Sequence, residues 1–160
     1  DWTYRQVLWQ AKTLGIDFQM PAMHPFNPLG LLRLAVACGD SVGCTNRFVT
    51  QQIFHHAWHG GADAADAARL ASLSERLADK IPEGYEPTSE DVKARLKANT
   101  EEALQAGCFG VPSFVVDDGK VFWGLDALPM LREYLQGDAW FNAADGWDSV
   151  ANVGVGIKRQ

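Results

Sequence analysis

Apolar residues recur at helical spacing through most of the chain, and alternation replaces that spacing only after Pro112. In "DWTYRQVLWQAKTLG", Val7, Leu8, Ala11 and Leu14 fall on one helical face, and Gly15 stops it. "IDFQMPAMHPFNP" carries three prolines and no period, which predicts an extended loop. "LGLLRLAVACG" predicts a short, strongly apolar helix ending near Gly39. "CTNRFVTQQIFHHAWHGG" predicts another, with Thr45 as N-cap, Phe48, Ile53, Phe54 and Trp58 buried, and Gly60-Gly61 as terminator. The alanine-rich stretch after it aligns Leu70, Leu73 and Leu77. "TSEDVKARLKANTEEALQAG" has the most complete helix signals. Thr88 or Ser89 caps it, Glu90 and Asp91 suit its N-terminal dipole, Val92, Leu96, Ala103 and Leu104 bury, and Gly107 closes it.

"SFVV" and "KVFW" are short β runs joined by "DDG", a hairpin signal. "DALPMLREYLQG" then predicts a helix with Asp126 as N-cap and Pro129 in its first turn. The tail from Asp138 to Gln160 brings Trp140, Phe141 and Trp147, which are expected to pack on the body. Val115, Val121, Phe114 and Phe122 put apolar groups on both faces of the hairpin, so both faces should be covered. Two strands alone are marginal in water. The expectation is that further strands lie before Asp1 or come from another chain.

Composition narrows the function classes. The 160 residues are 47% hydrophobic and carry a net charge of −6, with no basic cluster. Nucleic acid and anionic membrane are therefore not expected partners. No apolar run in the chain is long enough to span a bilayer. The three cysteines, Cys38, Cys44 and Cys108, form no CxxC, so thiols in a reducing cytoplasm are expected over a disulfide framework, with a Cys38–Cys44 bridge as the alternative. His55 and His59 stand i, i+4 on a helix, but no third ligand has convincing spacing, and no metal site is expected. Cys108 has no base or cationic partner in the sequence around it, and a buried thiol is expected there.

"GCFGVPSFVVDDGKVFWGLDAL", taken with "LWQAKTLGIDFQMPAMHPFNPLGLLRLAVA", resembles the 2-hydroxychromene-2-carboxylate isomerase and kappa-class glutathione transferase group of the DsbA-like, thioredoxin-like superfamily. The resemblance runs from about Tyr4 to Tyr134. It implies an α/β thioredoxin-like fold with a helical insertion domain at residues 1–100, the second half of the thioredoxin-like domain at 101–137, and a tail at 138–160. The first β-α-β unit, which needs about 30 residues or more, is expected upstream of Asp1. The serine or cysteine that activates the glutathione sulfur in such proteins is expected there too, so no catalytic residue is assigned within the chain.

The resemblance also assigns roles. Val111-Pro112 becomes a cis-proline corner whose main-chain groups pair with glutathione as an added strand would. Trp123, Gly124, Leu125 and Asp126 would hold the γ-glutamyl end, with Asp126 taking the ammonium. His24 and Asn27 would face an aromatic-derived second substrate, although Asn27 could instead close an Asx-turn on its own backbone. The implied activity is a glutathione-dependent isomerase or kappa-class-like transferase. A DsbA-like thiol–disulfide oxidoreductase and a non-catalytic binding module stay open as alternatives, and the resemblance leaves a homodimer open.

Overall fold

The computed structural model describes residues 2–152. Two compact units divide between Glu101 and Glu102. The expected tail boundary at Asp138 does not separate a further unit, and residues 153–160 of that tail lie outside the described residues.

The first unit is helical. It comprises α1 (Trp2–Thr13), α2 (Leu29–Ala37), α3 (Arg47–Trp58), α4 (Ala67–Arg76) and most of α5 (Glu90–Gln105). Its core joins α2, α3 and α4 through Leu31, Leu34, Val49, Leu73 and Leu77. A second cluster sets Val36 and Ala37 of α2 against Val92 of α5. Leu73 and Leu77 are buried as their spacing requires.

Several local expectations need correcting. Asn46, not Thr45, caps α3, its side chain accepting from the Val49 N–H at 3.0 Å. The Thr45 hydroxyl pairs with that of Thr50 instead. Phe48 and Phe54 are exposed, and the buried face is Val49, His56 and Ala57, with Ile53 packed beside it. On α1 only Ala11 is buried, while Leu8 and Leu14 face solvent among the described residues. Ala103 and Leu104 of α5 are also exposed, because the clusters that cover Val92 and Leu96 do not extend to that last turn.

His56 is the buried polar residue of this core. Its Nε2–H donates to the Ala64 carbonyl at 3.0 Å, and Arg69 donates to the His56 carbonyl at 2.9 Å and to that of Asp63. Desolvation pushes the imidazole pKa below 6.5, and Arg69 and Arg76 act the same way against the opposing Ala64 hydrogen bond. The unfolded chain takes up this proton near 6.5, whereas the folded chain holds out to lower pH. In that window the unfolded state binds more protons, so stability falls as pH drops below 6.5. Thermal midpoints of the wild type should decline on acidification through this range, and His56→Gln should flatten the decline. His56→Ala should cost about 1–3 kcal/mol at neutral pH by leaving the Ala64 carbonyl unpaired.

The second unit is built on an antiparallel hairpin, β1 (Ser113–Val115) and β2 (Val121–Trp123), with Phe114 opposite Phe122. These two strands are the whole sheet among the described residues. A 3₁₀ turn over Leu125–Ala127 leads into α6 (Leu128–Leu135). Phe122 is 1% exposed. Tyr134 of α6 and Phe141 and Trp147 of the following turns pack on it, with ring centroids 5.6, 6.1 and 5.1 Å away. This face is covered from within the unit. On the other face Val115 and Trp123 are about half exposed, so the expected two-sided covering is found on one side only among the described residues.

Candidate functional site

The hairpin register decides which main-chain groups are free. Gly124 N–H donates to the Pro112 carbonyl at 2.9 Å, and Val116 N–H to that of Lys120 at 3.1 Å. Bonded pairs therefore fall at 112/124, 114/122 and 116/120. Ser113 and Val115 must then direct their N–H and C=O groups away from β2, along an outer edge. That edge continues to Val111, whose N–H and C=O have no partner among the described residues. Val111 is 92% exposed, and the peptide bond to Pro112 is cis.

Trp123 and Gly124 lie directly across from Ser113 and Pro112. The Trp123 indole covers Gly110 so closely that a Cβ on that glycine would collide with it. Phe109 packs on the same ring at 5.2 Å. The role of Gly110 and Phe109 was not assigned from sequence, although a residue without a Cβ beside the Val-Pro pair is the signal that marks it.

Gly124 adopts φ 92° and ψ 166°, a region open essentially to glycine alone. A Cβ there would also stand 2.5 Å from Asp126 Oδ1. Gly124→Ala should therefore cost about 1–2 kcal/mol of stability, read by urea denaturation, and displace the Asp126 carboxylate. This glycine also explains a correction: Asp126 is not the N-cap of α6. The chain leaves Gly124 into a 3₁₀ turn, so Asp126 sits inside the turn and Ala127 occupies the cap position without a side-chain bond. The exposed carboxylate of Asp126 has no hydrogen-bond or ion-pair partner among the described residues. Leu125 beside it is 51% exposed. The structure thus gathers Val111, Pro112, Trp123, Gly124, Leu125 and Asp126 around one end of the hairpin.

His24 and Asn27 belong to the first unit. Asn27 Oδ1 accepts from the Leu29 N–H at 3.0 Å, the Asx-turn that starts α2. His24 is exposed, and Tyr4 Oη lies 3.0 Å from its Nδ1. Trp58 stands 5.4 Å from the imidazole and Phe26 6.0 Å, centroid to centroid. Phe26 and Trp58 also line an apolar groove of about 230 Å³ with Leu31, Leu32, Ile53 and Phe54. Tyr4 was not anticipated, because no local pattern connects residues 20 apart in different elements.

The thiols do little here. Cys38 is buried, and desolvation, with Asp79 nearby, pushes its pKa up. Cys44 is exposed and free, and Cys108 is half-buried and free. His55 and His59 stack at 4.2 Å, and His59 pairs with Asp17 at 3.1 Å. Among the described residues no group of three His, Cys, Asp or Glu side chains is arranged to hold a metal. No helix among the described residues is long and apolar enough to cross a membrane.

Residues 6–136 match the model of the DSBA-like thioredoxin domain family. The chain is 25% identical over 144 residues to "Glutathione s-transferase kappa 2" of Caenorhabditis elegans. The match covers 82% of this chain and 64% of that relative, so the chain spans less than two-thirds of the relative's length. No solved structure matches the chain.

Proposed function

Since the chain belongs to the DSBA-like thioredoxin domain family, we propose that the protein is an enzyme that uses glutathione as co-substrate, bound at the Val111 end of the hairpin. One juxtaposition carries this reading. The main chain of Val111 and the carboxylate of Asp126, both without a partner among the described residues, flank the Pro112–Gly124 hydrogen bond. A γ-glutamyl tripeptide has an extended cysteinyl main chain to pair with the first and an ammonium to meet the second. Trp123, Gly124 and Leu125 would bound the γ-glutamyl group. The similarity to a kappa-class glutathione transferase supports the choice of ligand.

The finer form of the proposal is isomerisation of an aromatic-derived keto or chromene acid. The glutathione thiolate would add to a conjugated carbon, its electron pair displacing the π electrons onto the carbonyl oxygen as an enolate. The former double bond then rotates. Collapse of the enolate re-forms the double bond in the other geometry and expels the thiolate, so the thiol is regenerated. His24, with Asn27 near it in sequence, would contact the second substrate. No residue of the chain is assigned the task of stabilising the thiolate. Transfer of glutathione to an electrophile would use the same binding contacts.

Glutathione titrated into ¹⁵N-labelled protein should shift the Val111, Gly124 and Asp126 amides and the Trp123 indole. Unmoved resonances at millimolar glutathione would remove the proposal. The family match itself favours thiol–disulfide exchange as the second reading, and reduction of a disulfide substrate by the protein, without glutathione turnover, would establish it.

A further inference from the structure

Exposed loop histidines ordinarily rotate freely and exchange their ring proton between nitrogens. His24 is exposed but not free. Tyr4 Oη lies 3.0 Å from Nδ1, and the two rings meet edge to face at 5.6 Å and 84°. Trp58 and Phe26 flank the imidazole at 5.4 and 6.0 Å, and Trp58 is itself stacked on Phe18 at 5.5 Å. Three aromatic side chains and one hydrogen bond therefore define the ring's plane and its Nδ1 edge. Nε2 has no partner among the described residues.

We propose that Tyr4 is the positioning residue of His24. Its phenol O–H donates to Nδ1, fixes the imidazole proton on Nε2, and leaves that N–H as an aimed donor for an oxygen of the second substrate. The neighbouring groove shares Phe26 and Trp58 with this wall, so an apolar body bound there would have its polar end near the donor. The assignment of the donor to the second substrate rests on the proposed function; the fixed tautomer does not.

Two measurements separate them. Long-range ¹H–¹⁵N spectra of the four histidines in mildly alkaline solution report each ring's tautomer. In the wild type, His24 should show an unprotonated Nδ1 and a protonated Nε2. Tyr4→Phe keeps the aromatic ring and should move both nitrogens toward a tautomer mixture. Salicylate, a planar aromatic acid, then serves as the probe, with binding read on the His24 and Trp58 resonances. Tyr4→Phe should weaken it about three- to tenfold, the share of one neutral hydrogen bond. His24→Ala should weaken it at least as much, and Tyr4→Phe should add nothing in the His24→Ala background.

Unchanged ¹⁵N shifts in Tyr4→Phe, additive losses in the double variant, or salicylate that leaves His24 unmoved would each overturn the assignment. Failure of glutathione to perturb Trp123 would sink the proposed co-substrate while the tautomer result stood.

Discussion

Phe122→Ala should lower the stability of the second unit by about 3–5 kcal/mol, the largest single effect expected in the chain. Phe122 is 1% exposed and is the ring on which Tyr134, Phe141 and Trp147 converge. Phe141, also buried, meets both Phe122 and Tyr134, so one aromatic cluster ties the hairpin to α6 and to the turns beyond it. Truncation removes the whole ring and leaves a cavity between three aromatic walls that are themselves held by mutual contacts, such as Tyr134 on Phe141 at 5.2 Å. A two-stranded hairpin has little stability of its own to absorb the loss. Hydrogen exchange at the β1 and β2 amides should accelerate sharply, and the denaturation midpoint should drop. Phe122→Leu, which keeps most of the apolar volume, should cost markedly less. Protection of Phe114 and Phe122 amides that survives truncation would mean that the hairpin is held by something other than this cluster.

How far the chain could be read from its sequence depended on whether each feature was local. Leu73 and Leu77, and the Gly107 stop after α5, were legible because burial, 3.6-residue spacing and capping all act within one element. The α3 face was misread for a geometric reason. At about 100° per residue, Val49, Ile53, His56 and Ala57 lie within a single arc of the helix, whereas Phe48 and Phe54 fall outside it. The large rings of Phe48 and Phe54 stay exposed, and small residues with a histidine form the packed face. The tail could be marked as aromatic but not docked, since nothing in Phe141 or Trp147 points to Phe122 some 20 positions earlier. At the site, the Val-Pro corner and the Gly-x-Asp spacing were visible as residues. The 3₁₀ turn that frees Asp126 from capping was not, because it follows from the positive φ of Gly124. The Tyr4–His24 bond is tertiary altogether.

Asp126→Asn should weaken glutathione binding at least about tenfold, or 1.4 kcal/mol, with little change in stability. The two halves of that expectation come from the same observation. The carboxylate makes no cap bond and no ion pair among the described residues, so the fold loses nothing when its charge goes, and a surface change of this kind stays within about 0.5 kcal/mol. In the proposed function its partner is the ammonium of glutathione. A bond from an ammonium to a carboxylate is worth about 1.5–3 kcal/mol, and the exposure of Asp126 places it at the low end because water and salt screen the pair. The loss should shrink as ionic strength rises. A glutathione analogue with glutaryl in place of γ-glutamyl lacks the ammonium, and it should bind Asp126→Asn as well as it binds the wild type. Binding of glutathione itself that falls less than tenfold, or an equal penalty for both ligands, would take Asp126 out of the contact. The hairpin end would then act through main-chain pairing at Val111 alone, a contact that any extended peptide could make.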